Sequence, residues 1–233
     1  MIKLSTVQKH LWNAAWQRRD ADYTNTEITR LFRPEDIVEK NILDIGCGNM
    51  RAAEVWKGRS SMTGVDISES ALWAAKWWDK RRRLVVGDVS NLPFMSDSFD
   101  SVFAIDTLTS MTDGHMNALK EIARVTRNVM VFNLYGLGPL EKTTRGLREQ
   151  GMYFSVTPCG PMEILSSPDL GDKVFFNVTG LIRTLAGMGL TVETAVGLAS
   201  NGWGDYGAPY SEQRRKPGSG HDEIVFVRAL KRG

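Results

Sequence analysis

The sequence predicts an α/β fold: a largely parallel sheet with helices on both faces. Three observations predict it. Short apolar runs alternate with amphipathic helical stretches from residue 41 onward, the first run ends in a turn with two glycines, and acidic residues stand at the ends of the first three runs. Strands that alternate with helices are joined by right-handed crossovers. Their carboxyl ends then lie along one edge of the sheet, where ligands of open α/β sheets bind.

Each element follows in order. Ile42-Leu43-Asp44-Ile45 is an apolar run that stops at Gly46, and Met50 to Trp56 suits a helix. Ser61 to Val65 reads as a second strand ending at Asp66. Ser68 caps the next helix, whose apolar stripe is Ala71, Leu72, Ala75 and Trp78. Leu84-Val85-Val86 is a third strand ending at Gly87-Asp88, and Phe99 to Ile105 a fourth, followed by Asp106. Met116, Leu119, Ile122 and Ala123 keep helical spacing, and Val129 to Phe132 makes a fifth strand.

Gly136 to Lys173 breaks this rhythm with several glycines and prolines, and insertions of that length are usually lids or binding loops. A helix over Val178 to Met188, with Leu181, Ile182 and Leu185 on one face, stops at Gly189. Leu190 to Val196 and Glu223 to Leu230 are the last strands, joined by a long connection from Gly197 to Asp222. Ahead of the sheet, Leu11, Trp12, Ala15 and Trp16 share one face of an N-terminal helix.

Composition narrows the class. A chain of 233 residues suits one sizeable domain, and 42% hydrophobic with 24% charged residues excludes a disordered or fibrous protein. A net charge of +2 gives no general reason to bind nucleic acid or an anionic membrane. Cys47 and Cys159 are the two cysteines; they offer neither a disulfide framework nor metal-ligand spacing, so no metal is expected. No apolar run approaches the roughly 20 residues that span a bilayer, and no signal-peptide core is visible. The expectation is a cytoplasmic protein of unspecified oligomeric state.

The strand ends carry the chemistry. Glycine is needed where a turn takes positive φ or where a ligand meets bare backbone, and the helix after the turn offers free N–H groups. Asp66 stands where a carboxylate can accept both ribose hydroxyls of a nucleoside, and Asp88 where one can accept from an adenine amine. Each acid alone reads more simply as a strand-end or capping residue. The ordered set Asp44, Gly46, Gly48, Asp66 and Asp88 is harder to dismiss.

These segments resemble the class I S-adenosylmethionine methyltransferases. Ile42 to Met50 looks like motif I, Gly64-Val65-Asp66-Ile67-Ser68 like the ribose-binding strand end, and Val86-Gly87-Asp88-Val89 with Asn91-Leu92-Pro93-Phe94 like the adenine segment. Ser98 to Val102 resembles the start of strand four, and Leu119 to Val125, with Glu121 and Arg124, the helix before strand five in the small-molecule and general branch. The resemblance implies a Rossmann-like, seven-stranded sheet of order 3-2-1-4-5-7-6 with the last strand antiparallel. It implies one domain over 1–233: an N-terminal helical cap (1–34), a cofactor-binding core (41–135), an insertion or lid (136–175), and a C-terminal helix and strand pair (176–233).

The implied cofactor is S-adenosyl-L-methionine, leaving S-adenosyl-L-homocysteine (SAH) as product. By that resemblance Gly46, Cys47 and Gly48 face its methionine part, Asp44 lies near its ammonium, Asp66 holds the ribose, and Ile67 packs on the adenine. Asp88 and the Val89 N–H serve the adenine edge, and Asp106 borders methionine and acceptor. Two departures stand out. Met50 replaces a frequent third glycine, and Thr126-Arg127-Asn128 shortens the usual turn before strand five.

Methyl transfer from a sulfonium needs alignment above all, so a base is optional. His115 and Asp106 are the candidates for one; His10 and His221 lie in flanking segments. Tyr23, Tyr135, Tyr153, Phe154 and Trp203 are candidate walls of an acceptor site, their bland reading being ordinary packing. A small organic acceptor is expected, with RNA or protein as the alternative. Lys80 to Arg83 and Arg214 to Lys216 are basic clusters, but such runs are usually solvated faces, and no Asn/Asp-Pro-Pro-Tyr follows strand four. A nicotinamide enzyme is disfavoured because Arg51 fills its third glycine position and no tyrosine has lysine four residues on. A cofactor-binding module without turnover remains a second alternative.

Overall fold

The computed structural model describes residues 34–50, 61–78, 82–168, 170–198 and 224–231, with Lys9, Asn13 and Lys80. The expected N-terminal face of Leu11, Trp12, Ala15 and Trp16 lies outside the described residues, as does the expected helix beyond Met50. So do His10, Tyr23, Arg81, Trp203, Arg214 to Lys216, His221 and most of the connection from Gly197 to Asp222. The chain divides into two compact units, residues 1–105 with 115–131 and residues 106–114 with 132–233.

The first unit holds α1 (Pro34–Ile37), β1 (Asn41–Ile45), β2 (Ser61–Asp66), α2 (Glu69–Trp78), β3 (Arg83–Val86), β4 (Phe99–Ala104) and α3 (His115–Val125). Strands here run parallel. Ile45 stands opposite Val65, Asp44 opposite Phe103, and Asp66 opposite Val86. This register brings the carboxyl ends of β1, β2 and β3 to one edge, and so brings Asp44, Asp66 and Asp88 there. β1 is central, so both its faces are covered, and Ile42, Leu43 and Ile45 are almost fully buried. In α3, Ala118, Leu119, Ile122 and Ala123 form the buried stripe. In α2, Ala71, Leu72 and Ala75 do so, while Trp73 and Trp77 on its outer side are exposed.

β5 (Thr126–Tyr135) begins in the first unit and ends in the second. The second unit continues with α4 (Leu137–Glu149), β6 (Ser155–Cys159), β7 (Met162–Ser167), β8 (Gly171–Phe176), α5 (Val178–Gly187), β9 (Leu190–Leu198) and β10 (Ile224–Lys231). The seven-stranded sheet has the order β3-β2-β1-β4-β5-β10-β9. With β6 to β8 set aside as a sheet of their own, this is the expected order, and β10 runs antiparallel to β9.

Three local expectations need correction. The stretch from Gly136 to Lys173 is a helix and an antiparallel three-stranded meander, not an irregular loop. Gly151, Gly160 and Gly171 sit at its ends and turns and all take positive φ, while Pro158 lies within β6. Strand four stops at Ala104, one residue early, because Asp106 already has a left-handed backbone (φ 56°). In α5, Ile182 is 38% exposed while Leu181 and Leu185 are buried; Val178, three residues before Leu181, completes the stripe instead.

Candidate functional site

In the first unit the β1–α2 region is bent by left-handed residues at every second position: Gly46 (φ 66°), Gly48 (φ 53°) and Met50 (φ 57°). The first two are glycines, for which the region is free; Met50 is strained there. So the third glycine of the resembled motif is missing, but the backbone shape that a glycine would serve is kept. The bend folds back over β2, with the Gly46 and Cys47 N–H groups donating to the Val65 carbonyl at 2.8 and 3.2 Å.

β2 must be thin where the bend crosses it. A Cβ on Gly64 would lie 2.7 Å from Cys47 Sγ and 2.9 Å from Met50 Sδ. Cys47 and Met50 instead bury their sulfurs in a cluster with Leu72 and Ala75. Cys47 therefore turns its side chain into the core, and burial pushes its thiol well above the usual range, away from a reactive thiolate. Only its backbone remains for a ligand. The need for glycine at 64 has no signal in the sequence, although the residue lies within the segment Gly64 to Ser68.

The acids converge on this bend. Asp66 is 8% exposed; its Oδ2 accepts from the Gly48 N–H and its Oδ1 from the Ser68 N–H, both at 2.8 Å. Burial pushes its carboxyl above the ordinary value, while those N–H bonds pull the other way. Asp44 is enclosed by protein yet keeps partial exposure. Burial, with the Asp66 charge second, pushes its carboxyl up to about 7. A buried carboxylate whose proton affinity is raised further by a second one beside it is a place for a cation and for hydroxyl donors.

Asp88 sits two residues past β3. Its Oδ1 accepts from the Ser90 N–H at 2.9 Å and the Ser90 hydroxyl at 2.6 Å, forming a tight turn. The following segment is clamped from α3. Glu121 accepts the Leu92 N–H at 2.8 Å, and Arg124 donates to the Phe94 and Leu92 carbonyls at 2.7 and 3.1 Å while paired with Glu121. Glu121 and Arg124, which carry part of the family resemblance, thus brace the segment after Asp88. Ile67 and Val89, one residue past Asp66 and Asp88, are half-buried.

His115, also in this unit, is the first residue of α3 and is buried. In the second unit Asp106 and Asn133 bond reciprocally: the Asp106 N–H donates to Asn133 Oδ1, and Asn133 Nδ2 to Asp106 Oδ1, both at 2.7 Å. Burial raises the Asp106 carboxyl despite that bond. Asn133 carried no sequence signal. Of the expected aromatic walls in this unit, Tyr135 and Phe154 pack around Leu147, Leu165 and Phe175, with Arg148 over the Phe154 ring at 5.3 Å, and Tyr153 is exposed. Among the described residues no cluster of metal-ligating side chains occurs, and no helix is long and apolar enough to cross a membrane.

A parallel sheet of this order, a glycine bend after β1, and acids at three successive strand ends define the class I S-adenosylmethionine-dependent methyltransferase fold. Residues 43–130 match the family described as the methyltransferase domain. It is 29% identical over 126 residues to the O-methyltransferase cnsE of Penicillium expansum, covering 50% of this chain and 45% of that one. It is 25% identical over 209 residues to the malonyl-[acyl-carrier protein] O-methyltransferase of Erwinia pyrifoliae, covering 80% and 78%. Its fold is similar to magnesium protoporphyrin IX methyltransferase from Synechocystis, solved with bound SAH: TM-score 0.64, 12% identity, 98% of this chain and 99% of that one covered. The chain spans less than half the length of the first relative.

Proposed function

We propose that the protein transfers a methyl group from S-adenosyl-L-methionine to an O, N or C atom of a small organic acceptor. The observation that carries this reading is the convergence of Asp44 and Asp66 on a glycine bend whose own N–H holds Asp66. The residues fit the cofactor: partly exposed acid for its ammonium, buried acid for ribose hydroxyls, and bare backbone between them. When bound, the cofactor supplies a methyl already activated by the sulfonium. The protein's work is then to hold and align. Asp44 and the backbone of Gly46, Cys47 and Gly48 hold the methionine part, Asp66 and Ile67 the ribose and adenine face, and Asp88 with the Val89 N–H the adenine edge.

Proton removal from the acceptor, where one is needed, falls to Asp106. Its raised proton affinity suits a general base, and Asn133 fixes one carboxylate oxygen while the other stays for work. His115 is the second candidate; its burial puts it behind Asp106. Tyr135, Tyr153 and Phe154, with Tyr23 and Trp203, are the proposed acceptor-side residues. Two of the relatives named above are O-methyltransferases by name, which supports an O-acceptor.

Calorimetry with S-adenosyl-L-methionine and SAH tests the cofactor, and SAH release with metabolite fractions tests turnover. Saturable binding with turnover is expected. Binding without turnover on any fraction would leave a cofactor-binding module, turnover on RNA or protein alone would replace the acceptor class, and no binding would overturn the reading.

A further inference from the structure

Asp66 is served by a residue far from it in sequence. Ser68, two residues on, is fully buried, and its hydroxyl has one proton to give. Its oxygen accepts from the Ala71 N–H at 3.2 Å, capping α2. Its proton goes to Asn13 Oδ1 at 2.8 Å, and the same Asn13 oxygen accepts the Ser70 N–H at 3.2 Å. Lys9, one helical turn before Asn13, pairs with Glu69 in the same turn of α2. Lys9 and Asn13 thus meet the start of α2 at two points, two to four residues past Asp66.

Resting on the cofactor reading above, we infer that Asn13 is a positioning residue for Asp66, acting through Ser68. A buried hydroxyl is costly to leave unpaired, so its proton must find an acceptor. Asp66 already accepts the Ser68 N–H on Oδ1 and the Gly48 N–H on Oδ2. Were Asn13 unable to accept, the Ser68 proton would turn to this carboxylate, which carries the stronger acceptor charge. One more lone pair of Asp66 would then be used inward and lost to a ribose hydroxyl. Asn13 draws that proton outward and keeps both oxygens available to the nucleoside. The N-terminal segment, remote in sequence from every strand-end acid, thereby sets nucleoside affinity.

The test uses the full chain and SAH as probe, by calorimetry, with thermal melting alongside. Asn13→Ala should weaken SAH binding about tenfold. Asn13→Asp keeps the accepting oxygen and should restore most of it. In a double-mutant cycle, adding Asn13→Ala to Asp66→Ala should cost nothing further, because Asn13 acts only through that carboxylate. Additive losses, or failed rescue by Asn13→Asp in a variant that melts like the parent, would overturn the inference. Failure of the cofactor reading is separate: Asp66→Ala alone would then leave SAH affinity unchanged. If Asn13→Ala proves unstable, Ser68→Ala removes the same proton and should retain binding close to the parent; a tenfold loss there would also count against the relay.

Discussion

Asp44 makes the cofactor reading testable by pH. In the free protein, burial and then the Asp66 charge push its carboxyl up to about 7. An ammonium placed beside it favours the charged form, so binding releases the proton wherever the free site holds one. Below about 7 the free site is mostly protonated, and affinity for SAH must fall as pH falls. If the bound carboxyl returns to its ordinary 3.8, each pH unit below about 7 weakens binding about tenfold. Affinity at about pH 5 then stands roughly a hundredfold below that at about pH 7.5. Calorimetry across this window, in buffers of different ionisation heat, reads both the affinity and the released proton. Asp44→Asn should bind more weakly at neutral pH and lose the slope. A flat profile for the parent, or an equal slope in the variant, would refute the pairing of Asp44 with the ammonium. The same shift opposes folding of the empty protein. The penalty is absent below about pH 4, grows as pH rises and is complete above about 7, with an upper limit on the order of 4 kcal/mol. Asp44→Asn should therefore raise the melting temperature at pH 8 more than at pH 4.

Four other outcomes follow from the geometry. Asp66→Ala should weaken SAH binding at least tenfold by calorimetry, and unchanged affinity in a folded variant would contradict its assignment. Gly64→Ala places a methyl against Cys47 Sγ and Met50 Sδ, so it should cost about 1–3 kcal/mol in denaturant unfolding and loosen SAH binding as the bend shifts. Arg124→Met removes the donors to the Leu92 and Phe94 carbonyls. Glu121, held below the usual range first by its hydrogen bond to Arg124, stabilises the fold above its unfolded range and loses that effect in acid. The stability gap between parent and Arg124→Met, measured by urea melts, should thus narrow between about pH 7 and pH 3. Asn133→Ala leaves the buried Asp106 N–H unpaired and should cost about 1–3 kcal/mol in the same assay.

Much of the fold was legible because buried parallel strands declare themselves. β1, the latter half of β4 and the end of β5 are largely apolar and buried, and Asp66 and Asp106 stand at or just past the ends of β2 and β4. The meander β6 to β8 was not legible. β6 is exposed along its whole length, so it has no apolar alternation, and its Pro158 reads as a breaker. It is an edge strand, paired antiparallel with β7. In the site, Asp44, Gly46, Gly48, Asp66 and Asp88 could be named because their meaning lies in position along the chain. Gly64, Asn13 and Asn133 could not, because theirs lies in what crosses them: two sulfurs, a buried hydroxyl and a left-handed aspartate.

These features share one energetic logic. Asp44 and Asp66 are carboxylates raised by burial, and Met50 holds a backbone shape that suits glycine. Each is unfavourable in the empty domain. None is relieved by the core, which is complete around Cys47, Met50, Leu72 and Ala75. An ammonium and two hydroxyl donors relieve the carboxylates directly, and contacts to bare backbone make the bend useful. Ligand that binds only the folded state then stabilises it in proportion to the logarithm of its concentration. The domain is accordingly expected to melt higher with SAH at neutral pH than at about pH 5, because only the ionised Asp44 gains from the ammonium. Equal stabilisation at both values would mean that the strained bend and the buried acids serve the fold and not a ligand.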